Sequence, residues 1–189
     1  MKFFILTPSG IEINTPEILL IKEFGDLYDI ERNKCEKDPK GERRLRFYKE
    51  IVYIYTKIDF ESYCHDYRED EKTACALSDS GLTKSELDDP VFKAALEEYQ
   101  HIQYKDPYMR ILDSAMRAVY KAEDYFNGID FTTLNPETNL PMYKPKEMFD
   151  FIKQLPDMFK TLDDLKQKIR TKKQEEVELQ GGVEKGMFD

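Results

Sequence analysis

Cys64, His65 and Asp66 stand side by side, and Cys75 follows a short way along the chain. Thiol, imidazole and carboxylate are the groups that hold zinc or build a thiol nucleophile. Their spacing argues against both. Zinc ligands come in closely spaced pairs, and the only other histidine is His101. Adjacent residues also send their side chains in different directions, and no neighbouring pattern marks an oxyanion hole.

Two other combinations have the right residue types in the wrong company. His65-Asp66 has the form of the HD pair of metal phosphohydrolases, but those sites need further histidines and the chain has 2 in all. Asp59 with Asp70-Glu71-Lys72 follows the order of PD-(D/E)xK nucleases, where carboxylates hold Mg²⁺ and lysine offsets transition-state charge. That arrangement sits on a β core, whereas the residues here read as helix, loop and helix. A basic run, Lys166, Lys168, Arg170, Lys172 and Lys173, has the charge to touch phosphates. Asp163, Asp164, Glu175 and Glu176 nearly balance it, and basic residues near a helix C-terminus offset the macrodipole. The run reads as a solvated helix end.

Composition points the same way. The formal net charge of −9 lacks the basic footprint of a nucleic-acid binder, though an acidic wall suits DNA that must slide past. Only 8 glycines leave little room for phosphate loops or many-turned β folds. Charged residues make up 35% of the chain and hydrophobic residues 40%, a mixture suited to amphipathic helices with solvated outer faces. Cys35, Cys64 and Cys75 are odd in number and lack CxxC spacing, so free thiols in a reducing compartment are expected. The apolar run of MKFFILTPSG is too short for a signal peptide, and no membrane span is expected.

The elements expected to position these residues are mainly α-helical. Residues 1–14 read as a short N-terminal β hairpin or arm around Pro8-Ser9-Gly10. Thr15-Pro16-Glu17 is a helix-start signal, and a helix is expected around 23–33. The stretch KEIVYIYTKIDFESY invites a strand by propensity, but Phe47, Ile51, Ile54, Tyr55 and Ile58 are spaced as on one helical face. A helix over 42–59 follows, with Tyr48 and Tyr55 near the edge of its buried stripe. A third covers 66–78 and stops at Gly81. Asp89-Pro90 and Asp106-Pro107 start two more, the second running to Asn127-Gly128.

After a long loop over 128–144, a last helix runs from 145 to 175, with Pro156 kinking or dividing it near Leu155. Residues 176–189 read as a flexible, extended C-terminal tail carrying Met187 and Phe188. The expected body, over 15–175, is a multi-helix bundle with Ile51, Ile54, Leu112, Val119 and Phe159 in its core.

One pattern is more specific. EILLIKEFGDLYDIERNK, followed by KGERRLRFYKEIVYIYTKIDFESY, resembles the N-terminal block of a family of small structural proteins of tailed bacteriophages. The carrying elements are Glu23-Phe24, Lys49 to Tyr55, and Asp59 to Tyr63. DPYMRILDSAMRAVYKAEDYF and the last helix extend the likeness over most of 17–172. One departure is Cys64-His65, which stands where the family often has a proline turn.

The resemblance implies a virion component of the neck or head–tail connector, as in crAss-like phages: a homo-oligomeric ring, a dodecamer, without active site or cofactor. Its implied partners are further copies, the portal and other neck or tail proteins. DNA would pass without specific binding, and assembly would take place in the host cytoplasm. Phe3, Phe4, Met187 and Phe188, on the two arms, are the expected partner contacts. The competing readings are a small cytoplasmic helical regulator that binds another protein through its apolar seam, a capsid auxiliary protein and a metal-dependent nuclease.

The nuclease reading has a direct test. Because no metal or nucleophile constellation survives, Asp70→Ala combined with Lys72→Ala is expected to leave function intact. Metal-dependent DNA cleavage by the wild type, lost in the double variant, would refute this.

Overall fold

Proline and aspartate punctuate the chain where helices begin. In a computed structural model, which describes residues 4–7, 10–13, 16–130, 133–138 and 145–185, Asp89 is the N-cap of a helix opening at Pro90. Its Oδ1 accepts from the backbone N–H groups of Val91 at 2.8 Å and Phe92 at 3.4 Å. Proline at the first helical position loses nothing by lacking an N–H.

The fold is mainly helical. Two extended segments, β1 (Phe4–Thr7) and β2 (Gly10–Ile13), pair antiparallel with Phe4 opposite Ile13. The turn expected between them lies at 8–9, outside the described residues. A 3-10 helix, Pro16–Leu20, leads into α1 (Lys22–Leu27), α2 (Leu45–Ile58), α3 (Glu69–Ser80) and α4 (Pro90–Tyr104). Then come α5 (Pro107–Asn127) and α6 (Pro145–Lys185). The chain divides into two compact units, residues 1–106 and 107–189.

In the first unit α2 is the central element. Phe47, Ile51 and Ile54 are buried as expected, but so are Tyr53 and Tyr55. Tyr55 therefore lies in the core rather than at the stripe's edge, with only Tyr48 of the expected edge pair exposed. Two neighbouring helices, α3 and α4, pack against α2, so it buries well over half its circumference. Tyr53 meets Phe92 of α4 edge-on, with ring centroids 5.4 Å apart.

Helix α1 stops earlier than the expected 33. Asn33 is wholly buried, and its Nδ2 donates to the carbonyls of Leu27 at 2.9 Å and Asp29 at 2.7 Å. Those carbonyls gain their partners from a returning loop instead of from further helical turns. The Asn33 Oδ1 accepts from the Phe47 N–H at 2.8 Å. It thereby serves the start of α2, whose own N-cap, Arg44, makes no side-chain cap. Arg44 is left-handed (φ 53°), and Gly41 is also at positive φ, where a Cβ would collide with the Ile30 carbonyl oxygen. These two turns set the start of α2 at Leu45 rather than 42.

A charge knot joins these pieces. Glu50, in the middle of α2, is only 1% exposed. The guanidinium of Arg32 donates to both its carboxylate oxygens at 2.5 Å and reaches Asp89 at 3.1 Å. Arg46 donates to Glu50 at 3.1 Å and to Asp89. A second buried network sits at the exit of α2, where the Tyr99 hydroxyl donates to Asp59 and accepts from Gln103 Nε2 at 2.8 Å.

In the second unit α5 and α6 form an antiparallel hairpin. Lys172 lies over the Tyr108 ring at 5.4 Å, near the start of α5, while the end of α5 faces the beginning of α6. Helix α6 is continuous across Pro156, so the division expected near Leu155 does not occur. The proline removes one backbone donor and crowds the carbonyl four residues earlier, a cost of about 3 kcal/mol that does not end the helix. Helix α6 also runs on to Lys185, so most of the segment expected as a flexible tail is helical, and 186–189 lie outside the described residues. Glutamate, glutamine and lysine make up half of residues 176–185, and their helix propensity opposes the cost of Gly181-Gly182.

Removing the Glu50 carboxylate leaves two arginines with Asp89 as their one remaining carboxylate partner in a part-buried site. Glu50→Ala is expected to cost about 3–5 kcal/mol, read as a lowered urea midpoint. An unchanged midpoint would contradict the structural role assigned to the knot.

Candidate functional site

The residues that first suggested chemistry are used structurally. Cys64 is buried, while its neighbour His65 turns away to meet Phe60 edge-on at 5.1 Å. His65 Nδ1 lies 3.2 Å from Asp66, and His101 is exposed on α4. Asp59 is buried, accepting from Tyr99 and, at 2.8 Å, from the Glu61 N–H. Asp70 and Glu71 face solvent at the start of α3, where Glu71 accepts from the Arg68 N–H at 3.0 Å. Among the described residues no group of three His, Cys, Asp or Glu side chains converges to hold a metal ion.

The basic run from Lys166 to Lys173 does not end a helix, since α6 continues to Lys185. The macrodipole explanation therefore fails for it, because that effect is confined to the last turn. Among the described residues no helix is long and apolar enough to cross a membrane.

Of the expected partner contacts, Phe4 is not available. It is 2% exposed and packs on Tyr55 and Tyr99, with ring centroids 6.0 and 5.3 Å away. An aromatic ring gains more from a ready apolar pocket in its own chain than from solvent. Phe3, Met187 and Phe188 lie outside the described residues.

The surface best suited to binding lies on the α5–α6 hairpin. Near the start of α5 its seam is closed: Met109, Leu112, Leu162 and Ile169 are all buried. Towards the other end it opens into an apolar groove of about 420 Å³. Val119, Ala122 and Phe126 form one wall, and Ile152, Leu155 and Phe159 the other, with Glu123 and Asn127 at the rim.

Phe159 is 52% exposed and Ile152 49%, and Phe149, one turn away, is also exposed. The 4-3 spacing located these residues on one face of α6 but placed Phe159 and Val119 in the core. Phe159 is exposed instead, and Val119 is half-buried. Two helices alone supply one seam, and an apolar stripe wider than the seam keeps its flank in water.

An exposed apolar groove should take up a hydrophobic reporter. Anilinonaphthalene sulfonate is expected to brighten on the native protein, and Ile152→Asp with Phe159→Asp should remove most of the gain. Full brightening in that double variant would place the apolar surface elsewhere. Comparison with models of protein families, with characterised proteins and with solved structures finds no match to this chain.

Proposed function

We propose that the chain is a non-enzymatic structural subunit that assembles with further copies of itself into a ring at the neck or head–tail connector of a tailed bacteriophage. The observation that carries the self-assembly is the open groove of the α5–α6 hairpin, an apolar concavity set in a strongly charged surface. The phage context rests on the resemblance of residues 17–172 alone. The net charge of −9, repeated around a channel, would repel DNA phosphates from the wall. In this reading the ring joins portal to tail, and Met187 and Phe188 remain proposed as a second anchor on a neighbouring copy or on the portal side.

Magnitudes favour a closed assembly over an isolated pair. Burying a large apolar side chain completely is worth about 1.5–3 kcal/mol, and Ile152 and Phe159 are already half covered. Their remaining gain is small beside the cost of association, at least about 4 kcal/mol in lost freedom. A ring engages two faces of every copy, so closure adds contacts without a further full loss of freedom.

A second reading has the same groove receiving an amphipathic helix of another protein, as in a small helical regulator. Light scattering and negative-stain imaging separate the two. Wild-type protein is expected to form closed multimers at high concentration, and Ile152→Asp with Phe159→Asp to remain monomeric with unchanged helical circular dichroism. A wild type that stays monomeric throughout would overturn the ring and favour the regulator. A double variant that assembles normally would exclude the groove as the contact.

A further inference from the structure

The apolar groove lies at one end of the α5–α6 hairpin, and the chain carries an apolar pair beyond the other. On α6 the groove runs from Ile152 to Phe159, beside the end of α5. Further along, Lys172 lies over the Tyr108 ring at the start of α5, and α6 continues to Lys185. At the helical rise per residue it overhangs α5 by about 20 Å. Met187 and Phe188 follow almost at once, bracketed by Lys185 and Asp189. Distance decides which groove this pair can enter. From Phe159 to Lys185 the helix axis advances about 40 Å. Three residues of fully extended chain carry Phe188 no more than about 11 Å past Lys185. The groove of its own chain is out of reach, and that of another copy is not.

We propose that the α5–α6 groove of each copy is filled by Met187 and Phe188 of the next, so that the chains join head to tail. The inference rests on the self-assembly reading and adds to it the occupant of the groove and the polarity of the contact. The chemistry of the two surfaces matches. Phe126 and Phe159 offer ring faces and edges to Phe188, and the flexible thioether of Met187 adapts to the space left over. A groove of about 420 Å³ is of the size that encloses a small apolar ligand. Lys185 and Asp189 stay at the rim, where Glu123 and Asn127 also lie. Anchor and groove are different surfaces, so the contact is heterologous: each copy gives one and receives one, and a closed ring leaves neither unused. An isologous pair joined groove to groove would leave both anchors in water.

The test uses the full chain carrying the photoreactive replacement Phe188→benzoylphenylalanine, as an equal mixture of isotopically light and heavy protein. Illumination at a concentration where the chain is multimeric is expected to join position 188 to peptides that contain Val119 to Phe126 or Ile152 to Phe159. Many of the joined peptides should carry both isotopes, and Ile152→Asp with Phe159→Asp should abolish them. Links confined to a single isotope, links to peptides outside the groove, or no links at all would overturn the proposal.

Light scattering separates that failure from a failure of the ring. Met187→Asp with Phe188→Asp is expected to raise the concentration of half-assembly by at least about 10-fold, with unchanged helical circular dichroism. If this variant assembles as the wild type does while the groove variant stays monomeric, the ring stands and the anchor is not what fills the groove. A wild type that never assembles removes both.

Discussion

A single buried carboxylate organises the first unit. Glu50 sits in the middle of α2 with almost no exposure, a position that charge tolerates only when paired and fully hydrogen-bonded. Arg32 satisfies it with two parallel bonds, and Arg46 adds a third from one turn away on the same helix. Both arginines also reach Asp89, which caps α4. The loop after α1, the body of α2 and the start of α4 are therefore held by one set of charges. Burial pushes the Asp89 carboxyl up, but the hydrogen bonds from Val91 and Phe92 and the two arginines outweigh it and hold that carboxyl below the usual range. Aromatic packing around Tyr53, Phe92 and Tyr99 fills the space that the knot defines.

The two units treat their apolar surface differently. The first closes its core around α2, with Phe4, Ile18, Phe24 and Leu27 packed against it and buried polar groups such as Asn33 and Asp59 paired. The second leaves half of its helix seam in water, with large side chains standing around the groove. A fully satisfied core gives stability, and an unfinished one supplies a place for another chain. The proposed self-assembly rests on that contrast.

Much of the helical frame was legible because its signals are local. Asp89-Pro90, Asp106-Pro107 and Gly81 mark helix ends through capping chemistry and backbone conformation, which need only neighbouring residues. The spacing of Phe47, Ile51 and Ile54 overruled their β propensity for the same reason. The groove was legible only as a stripe: periodicity locates Ile152 and Phe159 on one face of α6 but carries no information on whether a third layer covers them. The Tyr63–Asp79 bond left no spacing signal, because it forms only when the loop after α2 folds back onto α3.

By itself, then, the sequence determined a mainly helical chain, most of its helix starts, the apolar stripes of α2, α5 and α6, and an acidic surface. Tertiary structure decided which stripes would be covered. It buried Phe4 and Tyr55, which local pattern had assigned to an arm and to a helix edge, and it exposed Phe159, which the pattern had assigned to the core. It also carried α6 through Pro156 and beyond 175. The reason is that caps and periodicity are properties of a few consecutive residues. Burial depends on what arrives from elsewhere in the chain: Arg32 reaches Glu50 across 18 positions, and Arg46 reaches Asp89 across 43.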